Sequence, residues 1–246
     1  MSVRKPIALV LGLLIVLPAL AARADEEVEI FNGKDLTGWT KKGGTANYKV
    51  EDGVIIGSSV PNTINTFLVT EKEYGDFVLE LDFKIDDRTF NSGIQIRSDV
   101  RPEKGQERVY GYQIEIDPRV DRKWTGGVYY EAGGPHREKM WLNDLSENEA
   151  AREAFKLGDW NHIKIKAQGR RIQTWLNGVP AADYTDNDEK AFTPTGFIGL
   201  QVHQVGGTRE PKVVSWKNIK LTTLDGSAAA ANAPAAASSE AAAASE

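Results

Sequence analysis

Cysteine is absent from the 246 residues, so no disulfide, thiolate nucleophile or thiolate metal site is available to this chain. Histidine is scarce, at positions 136, 162 and 203, and no His-x-His or Glu-x-x-His spacing occurs, which removes the usual zinc signatures. No Asp-rich calcium loop, phosphate loop, dinucleotide fingerprint or Ser/His/Asp elbow is present; Gly126-Gly127 and Gly206-Gly207 read as turns. Nothing therefore demands a cofactor, although a structural or catalytic divalent metal held by carboxylates and carbonyls stays open. Basic charge is also in deficit, with 30 Lys and Arg against 35 Asp and Glu. An acidic chain argues against nucleic acid or an anionic membrane surface as partner.

Long apolar runs occur in one place only. Arg4 and Lys5 precede an apolar stretch from Ile7 to Leu20, broken by Gly12 and Pro18, and Ala22-Arg23-Ala24 follows. That is the pattern of a cleaved signal peptide over residues 1–24, and the run falls short of the roughly 20 residues of a comfortable membrane span. Its removal takes away three basic residues and no acid, moving the formal charge from −5 to −8. The expected location is periplasmic or secreted, with no membrane span after cleavage. Residues 226–246 are nearly all Ala, Ser and Glu, which reads as a disordered tail with nothing to build a core. Residues 25–225 are left as one domain.

Within that domain, strand-like runs recur at short spacing. They lie at Val28–Phe31, Tyr48–Val50, Val54–Gly57, Thr66–Val69, Asp76–Ile85, Ser92–Arg97, Tyr110–Asp117, Gly127–Tyr130, Asn161–Ala167, Arg171–Leu176, Ala181–Tyr184, Gly196–His203 and Val213–Leu221. Asp52-Gly53, Gln168-Gly169 and Asn177-Gly178 stand where hairpins would turn. The pattern predicts an all-β sandwich or jelly roll of antiparallel sheets rather than βαβ units. One helix interrupts it: Ser146 with Glu149 reads as a capping box for Glu147–Lys156, ending at Gly158.

The polar faces of three runs are unusual. In Gly111–Asp117, Tyr112, Ile114 and Ile116 point one way and Gln113, Glu115 and Asp117 the other. Ser92–Arg97 places Gln95 and Arg97 at matching positions, and Gly196–His203 places Gln201 and His203. If these strands share a sheet, one face gathers three amides, an Arg, a His and two acids, an inventory suited to sugar hydroxyls. A solvated outer face would be the ordinary reading of any one of these strands; their joint enrichment favours a site. Tyr129 and Trp141 are the aromatic candidates for stacking on a sugar, with Glu131 beside them as a substrate contact. Trp39, Trp160, Trp175 and Trp216 read as core or edge residues, His162 as a surface residue, and His136 as part of a Gly-Pro loop.

Taken in order, Phe31–Trp39, Asn91–Arg97, Gly111–Pro118, Trp160-Asn161-His162, Trp175–Gly178 and Gly196–His203 resemble the 3-keto-disaccharide hydrolase family over residues 28–223. The resemblance implies a concanavalin A-like jelly roll with its ligand on the concave sheet. It also implies action on glycosides whose C3 hydroxyl has been oxidised to a ketone. Jelly-roll glucanases with Glu-x-Asp-x-x-Glu on one strand offer a contrast: Glu115-Ile116-Asp117 matches the first half, but the second Glu would fall at Val120. A two-carboxylate retaining mechanism therefore lacks its partner.

A C3 ketone acidifies the C2 hydrogen, so cleavage needs a base, a cation or donors for the enolate, and an acid for the leaving group. The expected roles are His203 as base, Arg97 with Gln113 as enolate stabilisers and Glu115 as proton donor, with His203 and Glu115 exchangeable. Asp117 is the weaker acid candidate, and Gln95, Gln113, Gln201, Tyr129, Trp141 and Glu131 are the substrate contacts. The alternatives are a non-catalytic carbohydrate-binding module and a structural or adhesion domain. The sugar, anomer, aglycone and oligomeric state are not legible.

Overall fold

A computed structural model describes residues 26–133, 137, 139–207 and 210–224. The signal segment 1–24, the tail 226–246 and His136 lie outside the described residues. In chain order the strands are β1 (Glu26–Glu29), β2 (Trp39–Gly43), β3 (Asn47–Glu51), β4 (Val54–Ser58) and β5 (Thr66–Thr70). Next come β6 (Phe77–Ile85), β7 (Ser92–Glu103), β8 (Gln106–Ile116), β9 (Val128–Glu131) and β10 (Trp141–Asn143). After a five-residue helix, α1 (Glu149–Glu153), follow β11 (Asn161–Gln168), β12 (Arg171–Leu176), β13 (Val179–Thr185), β14 (Phe197–Val202) and β15 (Val213–Thr223).

The strands form two antiparallel sheets of a jelly roll. One has eight strands, in the order β13-β12-β11-β6-β15-β4-β3 with β1 beside β15; the other has seven, β10-β9-β8-β7-β14-β5-β2. Period-2 patterning sets which faces meet. In β6, Phe77, Leu79, Leu81, Phe83 and Ile85 are fully buried while the residues between them are half-buried. They pack on Ile94, Ile96, Tyr112, Ile114, Ile116, Ile198 and Leu200 from the facing sheet. Each such side chain contributes about 1.5–3 kcal/mol when buried. Asp52-Gly53 and Asn177-Gly178 both turn through positive φ, as two-residue hairpins require.

Three features depart from the sequence reading. The helix is shorter than expected, and its N-cap is Asn148, whose side chain accepts from the Ala151 N–H. Ser146 instead donates its hydroxyl to Asp144 Oδ1 at 2.5 Å, because an Asp two residues earlier competes for it. Strands β2 and β10 are additional, each too short or too polar to alternate visibly.

The third departure shapes the site. β7 does not stop at Arg97. A bulge between Ile96 and Asp99 puts one extra residue on β7, and Arg97 takes the left-handed conformation at φ 46°. Opposite the bulge, a Cβ on Gly111 (φ 134°) would sit 2.4 Å from Ser98 Oγ, so only glycine fits there. Beyond it the β7–β8 hairpin leans across the outer face of its sheet. Val100 and Val109 pack with Phe67, Val69 and Phe197 in a small second core, and Lys42 of β2 pairs with Glu107 at 3.1 Å.

Candidate active site

The face of the seven-stranded sheet turned away from the core carries Gln95 on β7, Gln113 and Glu115 on β8, Tyr129 and Glu131 on β9, and Gln201 on β14. Register brings three of these strands together: Gln95 pairs with Gln113, and Gln113 with Tyr129. Instead of facing solvent, the amides form a relay. Gln95 and Gln201 both donate to Gln113 Oε1, at 2.7 and 3.0 Å, and Gln113 Nε2 donates to Glu115 Oε2 at 2.7 Å. Ser98 Oγ donates to Gln95 Oε1 at 2.7 Å, and Asn91 Nδ2 to Glu115 Oε1 at 2.9 Å. Both oxygens of Glu115 are thus held by amide donors, and the residue is 3 % exposed.

Above the relay lies a cleft of about 300 Å³ lined almost wholly by polar groups. Glu115 and Glu131 supply its carboxyls, Arg108, Arg119 and Arg122 its cations, and His203 its imidazole. Tyr129 and Trp141 form an aromatic wall, with ring centres 5.0 Å apart; Arg122 stacks over Trp141 at 5.5 Å and over Trp124 at 5.1 Å. Asn65 ties two parts together: its Nδ2 donates to Glu131 Oε1 at 3.1 Å, and its Oδ1 accepts the Gln204 N–H at 2.9 Å. Among the described residues, no group of three or more His, Asp or Glu is arranged to hold a metal ion.

The electrostatics separate the groups. Burial pushes the Glu115 carboxyl up to about 8, with the charges of Asp117 and Glu131 adding to the effect and the Gln113 and Asn91 hydrogen bonds opposing it. Glu131 is raised too, again mainly by burial and against the pull of Arg108. Burial moves His203 the other way, below its ordinary value. Its Nδ1 lies 2.8 Å from the Gln204 carbonyl and so carries the proton, leaving Nε2 as the free acceptor. At neutral pH the cleft therefore pairs a protonated carboxylic acid with a neutral imidazole.

Most of the residues singled out from the sequence converge here: Gln113, Glu115, Gln201, His203, Tyr129, Trp141 and Glu131 all line the cleft. Three residues lie elsewhere than strand parity predicts. Arg97 does not reach it. The bulge turns the side chain away, and it donates to the Gly75 carbonyl (2.8 Å), the Gly169 carbonyl (2.6 Å) and Asp76 Oδ1 (2.6 Å), where β6 begins and β11 turns into β12 in the other sheet. Asp117 is fully buried and spends its carboxylate on Arg119 Nε (2.7 Å) and Arg122 Nε (3.0 Å), anchoring the cations rather than facing the cleft. Gln95 sits beneath the floor and acts through Gln113. The sequence reading missed Asn65, Asn91, Arg108, Arg119 and Arg122, four of them outside the strands that alternate. The Arg-x-x-Arg that follows Asp117 is the one local signal that could have exposed two of them.

The profile of the 3-keto-alpha-glucoside-1,2-lyase-like domain matches residues 26–222. The chain belongs to that family. It is accordingly a carbohydrate-active jelly-roll domain. A comparison with curated proteins gives no match. Among solved structures, this lyase-like domain is similar to a candidate glycosyl hydrolase from Parabacteroides distasonis ATCC 8503, at 22% identity and a TM-score of 0.56 over 81% of this chain and 94% of that one. It is also similar to a Bacillus subtilis protein of unknown function with a galectin-like fold, at 11% identity and a TM-score of 0.60 over 82% and 98%. A third is the Bacillus licheniformis β-glucanase, at 14% identity and a TM-score of 0.50 over 82% and 98%. At these identities the likeness is one of fold.

Proposed function

We propose that the protein cleaves 3-keto-glycosides by elimination across C1 and C2 in the Glu115 cleft. The observation that carries the reading is the pairing of a buried Glu115 at about 8 with a neutral His203 in one pocket. Two titratable groups pushed in opposite directions divide into an acid and a base. His203 Nε2 takes the C2 proton, and its electrons move into the C3 carbonyl to give an enolate. The role first given to Arg97 passes to Arg119 and Arg122, whose guanidinium groups border the cleft and stabilise that oxygen. As the enolate collapses, C1=C2 forms, the C1–O bond breaks, and Glu115 protonates the departing oxygen. Addition of water across C1=C2 completes a net hydrolysis.

Family membership supports the substrate class, and the missing second glutamate at Val120 speaks against an ordinary retaining glycosidase. The test is incubation with 3-keto-glucosides beside their unoxidised parents in deuterated buffer. The expected result is aglycone release from the keto compounds alone, with solvent deuterium entering C2. Cleavage of the parents at the same rate would overturn it, and tight binding of intact glycans without any cleavage would make this a binding module. Export belongs to the proposal as well: sequencing the N-terminus of protein secreted by a Gram-negative host should begin at Asp25.

A further inference from the structure

Among the described residues, the Glu115 cleft and two further cavities share His203 and Gln204. A wider one, about 770 Å³, is walled by Gly43–Thr45 at the end of β2, by Pro61–Ile64 before β5 and by Gln106 at the start of β8. A third, about 340 Å³, is bordered by Thr89–Asn91, Arg119 and Lys212. His203 and Gln204 line all three, so one imidazole is a wall common to the three cavities.

We infer that the wide cavity is a subsite for neutral sugar units beyond a disaccharide, so that the preferred substrate is a keto-oligosaccharide of at least three rings. This rests on the cleavage reading above for the placement of the keto-sugar in the Glu115 cleft. Volume supplies the count. The wide cavity is more than twice the size of the cleft that takes the first ring, and both fall within the roughly 300–1,000 Å³ of ligand sites.

Chemistry supplies the class. Among the described residues, no ionisable side chain apart from His203 borders the wide cavity; its walls offer hydroxyl, amide and backbone groups, with Pro61, Ile64 and Val205 as apolar patches for C–H faces. The smaller cavity has Arg119 and Lys212 on its border instead, which distinguishes the two routes by charge. The wide cavity is also preformed. Gly44 N donates to the Asn65 carbonyl at 3.0 Å, Thr45 N to Thr63 Oγ1 at 2.9 Å, and Asn62 N to the Val205 carbonyl at 3.0 Å. A Cβ on Gly44 would fall 2.2 Å from the Ile64 carbonyl oxygen, so the walls are packed without slack. Ordering costs on binding are correspondingly small.

The experiment measures kcat/KM on 3-keto di-, tri- and tetrasaccharides of the maltose and laminaribiose series, and calorimetric affinity for the same sugars unoxidised. Thr45 is exposed at the cavity rim, and Thr45→Trp narrows the wide cavity from a position that does not line the cleft. The expected result is a gain of about tenfold from two rings to three, present in wild type and lost in Thr45→Trp, with the disaccharide unchanged. Equal values for two and three rings in both assays and both series overturn the subsite while leaving disaccharide cleavage standing. If no keto-sugar is cleaved, the cleavage reading falls, and the affinity series alone decides the subsite: a rise to three rings that Thr45→Trp abolishes supports it, and a flat series or no binding overturns it.

Discussion

Gln113 donates to Glu115 from two positions earlier on the same strand, at 2.7 Å, while its own oxygen accepts from Gln95 and Gln201. The polarity of all three amides follows from that one bond. A carboxylate or acid oxygen at Glu115 asks for a donor, so Gln113 presents its nitrogen there and its oxygen backwards. Glu115 therefore enters the cleft with its orientation already fixed.

Glu115→Gln keeps the shape of the side chain but cannot transfer a proton. The variant should fold, bind a keto-sugar, and lose about 100-fold or more in kcat, the scale of one general acid–base contribution. His203→Asn should do likewise, and the double variant should lose less than the product of the two. Full turnover in Glu115→Gln would remove the assignment.

The pH profile of kcat/KM should be a plateau with an alkaline limb near 8, where Glu115 gives up its proton, and an acid limb below the ordinary imidazole value of about 6.5. Asn91→Leu removes a bond that favours the ionised form, so the alkaline limb should move above 8.

Stability should follow the same group. Below about pH 4.5 Glu115 is protonated whether folded or unfolded; between there and about 8 the folded protein keeps a proton that the unfolded chain releases. That contribution is present at low pH and lost as pH rises through about 8. Urea unfolding of wild type and Glu115→Gln at pH 5 and pH 9 should show a smaller difference between the two pH values in the variant.

Arg97→Met should be a stability variant. Its guanidinium is 1 % exposed and ion-paired to a partly exposed Asp76. Its loss should cost about 3 kcal/mol by denaturant unfolding, while kcat of the folded protein stays within about twofold. A large fall in kcat without loss of stability would return Arg97 to the chemistry. Phe77→Ala, in the core, should cost about 3–5 kcal/mol through its cavity and likewise spare kcat.

The fold and the floor of the site were readable because strand parity is a local property. Gln113, Glu115 and Gln201 alternate with buried Ile and Leu, and nothing interrupts β8 or β14 between them. Arg97 obeyed the same parity and was misplaced, since a one-residue bulge leaves no mark in composition when the residue adopting positive φ is not glycine. Asn65, Asn91, Arg119 and Arg122 lie in connections, where spacing carries no directional information. What joins Asn65 to Glu131 is a contact across 66 positions of sequence, invisible to any periodicity.

The bulge at Arg97 also sets what the hairpin beyond it can tolerate. Strand β7 is in effect two half-strands spliced out of phase by one residue, so Val100 and Val109 face Phe67 and Phe197 only while that extra residue is kept. Removing a matched pair at the Lys104-Gly105 tip, one residue from each arm, leaves the phase untouched and merely shortens the arm. Deleting a single residue at the splice would turn the small second core outward and swing the arm off the floor beneath it. Length variation in such an arm is thus quantised: it can change freely in twos at its tip and not by one at its root.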